Sequence, residues 1–170
     1  GIKLSKSFLH FYEAYQALGG LYRDKSYEDG MGIFSPEEIQ PLSAYMRDLL
    51  MTKRKWGEDS KSDDYFKYGI DQDSSSTRIT YQKNAIVVGQ YGFSDYELIV
   101  LYPDSLTKDG EMEAALFAQA SEARTPSFAE MMRQLSFFFT QNPGSIPIYS
   151  QKQLIGTCAD KLPLENIWWK

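Results

Sequence analysis

Histidine and cysteine are nearly missing from this chain: His10 and Cys158 are the only imidazole and the only thiol in 170 residues. A histidine triad or a His/Cys metal cage therefore cannot be assembled, and no cofactor is expected. One cysteine also forbids an internal disulfide. That leans towards a reducing compartment, with the cytoplasm favoured over the periplasm. Long apolar runs are absent too. The longest, Glu97–Tyr102, is strand-sized and far below the ~18–20 residues of a membrane span. Positive charge is in deficit, with a net charge of −5 and a pI near 4.9. A general nucleic-acid binder needs a basic surface to displace counterions, so that class is excluded.

The usual chemical signatures are also wanting. No glycine-rich stretch ends in Gly-Lys-Ser or Gly-Lys-Thr. Gly92-Phe93-Ser94-Asp95-Tyr96 begins like a nucleophile elbow but lacks its second glycine. Asp71-Gln72-Asp73 alternates oxygen ligands as a calcium loop does. Its sixth position is Ser76 rather than glycine, and its twelfth is Gln82 rather than glutamate, so a solvated polar turn is expected there.

What the chain does have is aromatic surface: twelve Tyr, ten Phe and three Trp. These supply large apolar area with few rotatable bonds, which suits cores and binding surfaces alike. Charged residues make up 24% and apolar residues 42%, a globular balance. The length suits one domain spanning residues 1–170, with no repeat or linker. A start at Gly1-Ile2, without methionine, fits a processed or cut amino terminus and keeps a removed signal peptide open.

Leu4, Phe8, Phe11, Tyr15 and Leu18 recur at helical spacing, with His10 on the polar face beside Lys6 and Glu13. Ser35-Pro36-Glu37-Glu38 reads as a cap, a first-turn proline and a capping box. It predicts a helix through Ile39, Leu42, Met46, Leu49 and Leu50. Strands are expected at Tyr65–Ile70, Thr77–Gln82, Ala85–Tyr91 and Asp95–Tyr102, joined by short turns into an antiparallel meander. Helical pattern resumes in alanine-rich Glu111–Ala123. It starts again at Ser127, where Ser127 and Glu130 form a second capping box, and it places Phe128, Met131, Met132 and Leu135 on one face. Ile146–Ser150 and Gln153–Cys158 suggest a closing hairpin. The expected fold is α+β: an antiparallel sheet of about four to six strands, two N-terminal helices, and two helices before a C-terminal hairpin, with helices covering one sheet face.

Carboxylate pairs are the remaining catalytic kit, namely Asp95 with Glu97 and Glu111 with Glu113. Helix starts attract glutamate for dipole reasons alone, and strands often carry charge on a wet face. Cys158 reads as a small buried hydrophobe. Binding is thus a better reading than catalysis. Six carboxylates, Glu58, Asp59, Asp63, Asp64, Asp71 and Asp73, fall in one stretch against only Lys61 and Lys67, and can face a basic partner. Phe137 lies opposite the apolar stripe of its helix, and adjacent Trp168 and Trp169 cannot both point inward from an extended segment. All three are expected partner anchors. The leading expectation is a non-enzymatic bacterial binding protein, most concretely an acidic immunity or antitoxin-like protein that occludes a basic toxic enzyme. Two alternatives stand beside it. One is a carboxylate hydrolase or small-ligand pocket lined by Tyr81, Tyr91, Tyr96 and Tyr102. The other is an extracytoplasmic accessory domain of a secretion or envelope complex.

Overall fold

A computed structural model describes residues 3–17, 32–46, 63–68, 72–73, 75–90, 97–118 and 121–141, with only the backbone at 15–17, 63–64, 121 and 137–141. The order is α1 (Lys6–Ala17), β1 (Gly32–Ile33), β2 (Gln40–Pro41), α2 (Leu42–Tyr45), a 3-10 turn (Asp63–Phe66), α3 (Ile79–Asn84), β3 (Ile86–Gln90), β4 (Leu98–Leu106), β5 (Met112–Ala118), β6 (Ser121–Thr125) and α4 (Phe128–Gln141). The class is α+β, with a six-stranded antiparallel sheet in the order β1-β3-β4-β5-β6 and β2 also paired to β3. Strands β3 to β6 form a meander. None of the described helices is long and apolar enough to cross a membrane.

Helices cover both faces of the sheet, not one as the sequence suggests. On one face Phe8 of α1 and Phe128, Met131 and Leu135 of α4 pack on Ile86, Val88, Ile99, Leu101, Ala114 and Leu116. On the other, Phe34, Leu42, Met46 and Tyr81 pack on Val87, Leu98, Val100, Ala115 and Phe117. A sheet buried on both sides needs apolar residues at every position, so Leu98 to Tyr102 are all sealed.

That burial explains the main correction. Glu111–Ala123 is not a helix but the hairpin of β5 and β6, with Ala115 opposite Arg124 and Phe117 opposite Glu122. Alanine's helix propensity is worth only tenths of a kcal/mol per residue, and sheet burial overrides it. The turn into β5 closes with Gly110 at φ +81, its N–H donating to the Thr107 carbonyl at 2.9 Å.

The early helix is also shorter than expected. Ser35 N–H donates to Glu38 at 3.0 Å, as a capping box requires, yet Gln40 and Pro41 then pair with β3 and only Leu42–Tyr45 is helical. Pro41 biases its predecessor to extended backbone and cannot sit inside a helix. Residues 47–50 of the expected helix lie outside the described residues. Two expected strands differ as well: the described part of Tyr65–Ile70 opens on the last two residues of the 3-10 turn and forms no strand, and Thr77–Gln82 overlaps α3. Six residues are too few for alternation to separate from a short helical stripe. The Ser127 cap holds, its hydroxyl accepting from the Glu130 N–H at 3.1 Å. The C-terminal hairpin lies outside the described residues.

Candidate functional site

Three charged side chains lie sealed beneath the 3-10 turn and α3. Glu113 is 0% exposed, Glu122 1% and Arg124 2%. The register explains the grouping. Glu122 and Arg124 are two apart on β6 and so share a face, while Arg124 lies opposite small Ala115, which leaves room for a guanidinium. Glu113 lies opposite Tyr102 on the same face.

Arg124 is the hub. Its Nε is 3.5 Å from Glu113 Oε1, an ion pair without hydrogen-bond geometry. Nη2 donates to the Tyr65 carbonyl at 2.9 Å, and Nη1 donates to the Ser76 carbonyl. Its own backbone is occupied as well: Gln72 accepts from the Arg124 N–H and donates to the Arg124 carbonyl, both at 2.7 Å. Among the described residues no strand pairs with the other edge of β6, and that side-chain amide occupies it as a neighbouring strand would. Glu113 accepts from the Tyr65 hydroxyl at 3.0 Å and the Tyr68 hydroxyl at 3.3 Å. Glu122 accepts from Gln82 Nε2 on α3. Above them the Tyr65 ring meets Phe66 and Tyr81 edge-on, at 5.2 and 5.7 Å between centroids. Arg78 completes this cover, 4.8 Å from the Phe66 ring centre and 5.1 Å from that of Tyr65.

Burial governs the electrostatics. It pushes Glu113 up to about 7, although Arg124 and the neighbouring Ser105 and Tyr65 hydroxyls favour the ionised form. Glu122 is raised by burial too, against the pull of Gln82 and Arg124. The Tyr65 and Tyr102 hydroxyls are raised by burial first and by the adjacent glutamates second, so both stay neutral. Tyr102 Oη, Ser105 Oγ and Glu122 Oε2 are buried without a hydrogen bond of acceptable geometry, although each lies near enough to another member to influence its charge. Charge is short by one: two carboxylates face one guanidinium.

The Glu111–Glu113 pair expected from the sequence does not form. Glu111 turns to α1, where it accepts from the Ser7 N–H at 3.1 Å and from the Ser7 hydroxyl, while Glu113 enters the network. Asp95 lies outside the described residues, and Glu97 is half-buried. Of the tyrosines expected to line a pocket, Tyr81 and Tyr102 do converge on this face; Tyr91 and Tyr96 lie outside the described residues. Of the described calcium-like residues, Gln72 and Gln82 serve the network and Asp73 Oδ1 accepts from the Ser75 N–H at 2.9 Å and the Ser75 hydroxyl at 2.6 Å. Among the described residues no group of three or more His, Cys, Asp and Glu is placed to hold a metal ion.

Of the acidic stretch, Asp73 is exposed, and its bonds to Ser75 hold its carboxyl below the usual range. Asp63 and Asp64 open the 3-10 turn, with side chains outside the described residues. Glu58, Asp59, Asp71, Trp168, Trp169 and Cys158 lie outside as well, and Phe137 is placed on α4 by its backbone alone. His10 is exposed on α1.

A groove of about 660 Å³ opens at one end of the sheet, between Leu4, Ile86, Leu106 and Met112. Its polar lining, Lys3, Ser43, Lys83 and Asn84, is exposed throughout. It thus lacks the convergent buried polar groups that orient a small ligand. Neither the known protein families, nor the curated proteins, nor the solved structures contain a match to this chain.

Proposed function

We propose that this chain is a non-enzymatic binding protein that meets a basic protein partner through the acidic stretch running from Glu58 to Asp73. An immunity or antitoxin-like protein occluding a toxic enzyme is its most concrete form. The observation that carries this reading is the location of the displaced charges. Glu113, Glu122, Tyr65 and Tyr102 are interior and committed to one another, whereas Asp73 is outside and held ionised. Perturbed groups of a working active site must reach substrate. These instead pin residues 63–68 and 75–84 to the sheet, which gives part of the acidic stretch a rigid base. Preorganised surface charge speeds encounter and discriminates among partners.

The test is capture of a partner from cells of the source, followed by association kinetics with Asp63→Lys, Asp64→Lys and Asp73→Lys combined. A fall in the on-rate of roughly tenfold or more at low salt is expected, with little change at high salt. An unchanged on-rate removes the acidic stretch from the interface. Phe137→Ala should raise the off-rate without lowering the melting temperature; a lowered melting temperature assigns Phe137 to the core instead.

A carboxylate-dependent hydrolase is the second reading, favoured by one observation: a glutamate held near neutrality beside a second glutamate and several tyrosines is the profile of an acid–base pair. It requires the cover to lift, because no described channel reaches the pair.

A further inference from the structure

The buried cluster sets two carboxylates against one guanidinium, and it bridges two parts of the chain. Among the described residues its hydrogen bonds join the sheet to one stretch of chain, while the ion pair lies within the sheet. From β5 and β6 come Glu113, Glu122 and Arg124. From the cover come Tyr65, Tyr68, Ser76 and Gln82, with Gln72 between them on the β6 edge.

The charge count inside the seal depends on protons. With one proton on the glutamates, Arg124 and the remaining carboxylate balance. With none, a net negative charge is left in a space closed to water, and a buried uncompensated charge is strongly unfavourable. The other groups facing the cluster do not supply the missing cation. Tyr102 and Ser105 on β4 and Tyr65, Tyr68 and Tyr81 from the cover are neutral hydroxyls. Gln82 is neutral, and exposed Asp73 adds negative charge. Arg78 sits over the outer aromatic layer, in contact with Phe66 and Tyr81 as well as Tyr65. The Arg124 charge and the Ser105 and Tyr65 hydroxyls do favour ionised Glu113, and Tyr68 donates to it as well, but burial outweighs them.

We propose that the Glu113–Arg124–Glu122 cluster is a proton-operated latch on the cover formed by residues 63–68 and 75–84: singly protonated, it holds the cover on the sheet; fully ionised, it releases the cover so that water can reach the carboxylates. The proton passes to solvent and no covalent bond changes. The cover carries Asp63 and Asp64, and Asp73 lies between its two parts, so the latch sets how rigidly those charges are presented. That last consequence rests on the binding reading above; the latch itself does not.

The test is amide hydrogen exchange on the protein alone, expressed as protection factors so that the intrinsic pH dependence of exchange is removed. Between about pH 6 and about pH 8.5, protection of peptides within 63–84 should fall roughly tenfold or more, while peptides from β4 and β5 change far less. Glu113→Gln, which cannot ionise, should keep the protection at the higher pH. Equal protection of 63–84 at both pH values overturns the latch, as does a pH-dependent loss that persists unchanged in Glu113→Gln. If Glu113→Gln does not fold, Glu122→Gln takes its place with the same expectations. If neither folds, carboxyl carbon-13 titration of the unmodified protein decides: a glutamate titrating above about pH 6 supports the latch, and none above it overturns it. Because no partner is present, failure here leaves the binding reading standing, and failure to capture a partner leaves the exchange result unaffected.

Discussion

The Arg124 guanidinium carbon lies 4.0 Å from the centre of the Tyr65 ring while Nη2 donates to the carbonyl of that same residue at 2.9 Å. One side chain thus grips Tyr65 twice, by its ring face and by its backbone. The Tyr65 hydroxyl in turn donates to Glu113, the carboxylate paired with Arg124. The loop Arg124–Tyr65–Glu113 closes on itself. Only a planar cation with several donors can stack and bond in this way.

Arg124→Leu should therefore cost about 3–5 kcal/mol, because it strands two buried glutamates without a counterion. Arg124→Lys keeps the charge but loses the fork, and should cost less. Urea unfolding of both variants checks the order. Adding Glu113→Leu and Glu122→Leu to Arg124→Leu should recover much of the loss, since replacing a whole buried ionic group by apolar residues is often close to neutral.

Stability should rise as pH falls from about 8 to about 6. Glu113 is raised in the folded protein to about 7 from an ordinary 4.5. The folded state then binds more protons than the unfolded state across that window. Its contribution is fully present below the unfolded value and is lost as pH rises through 7. The size is about 3 kcal/mol at most, at roughly 1.4 kcal/mol per pH unit. Urea midpoints at several pH values check the slope, and Glu113→Gln should flatten it.

Gly89→Ala should destabilise by about 1–3 kcal/mol. Gly89 sits where the β3–β4 register shifts. A Cβ there would collide with the Gly32 carbonyl oxygen and press on the Ile99 side chain at 3.2 Å. Strand β1 has to move away to admit it. A lower melting temperature, with a change confined to β1 and β3 in amide chemical shifts, is the expected result.

Gln72→Ala should remove both bonds to the Arg124 backbone. A loss of about 1–3 kcal/mol is expected, since partly buried backbone groups are left unpaired. The freed β6 edge should also favour self-association. Sedimentation velocity at rising concentration checks this; Gln72→Glu, which still accepts but cannot donate, should be intermediate.

Some of the molecule is legible from residue order alone. Phe8, Phe11 and Leu4 mark α1 because helical periodicity survives whatever the helix packs against. Ser127 and Glu130 mark the start of α4 because a cap is a contact within four residues. Strands β3 and β4 are legible from β-branched and apolar content, and the α+β class follows from their grouping. The segments that misled were those whose environment lies elsewhere in the chain. Ala114 and Ala115 look helical until both faces of β5 are covered, and Ile79 and Tyr81 look like a strand until Gln82 turns to Glu122.

The candidate site shows the same division. Glu113 attracts notice in the sequence only as a supposed helix start, and Glu122-Ala123-Arg124 carries a signal only once it is known to be a strand, where alternation puts both charges on one face. Tyr65 and Gln82 are 48 and 40 residues from the glutamates they bond. Local sequence determined the start of α4, the class and the acidic balance, because those depend on neighbours along the chain. Tertiary structure alone decided which carboxylates are sealed, which cation compensates them and which stretch of chain covers them, because burial and charge pairing are set by residues brought together from afar.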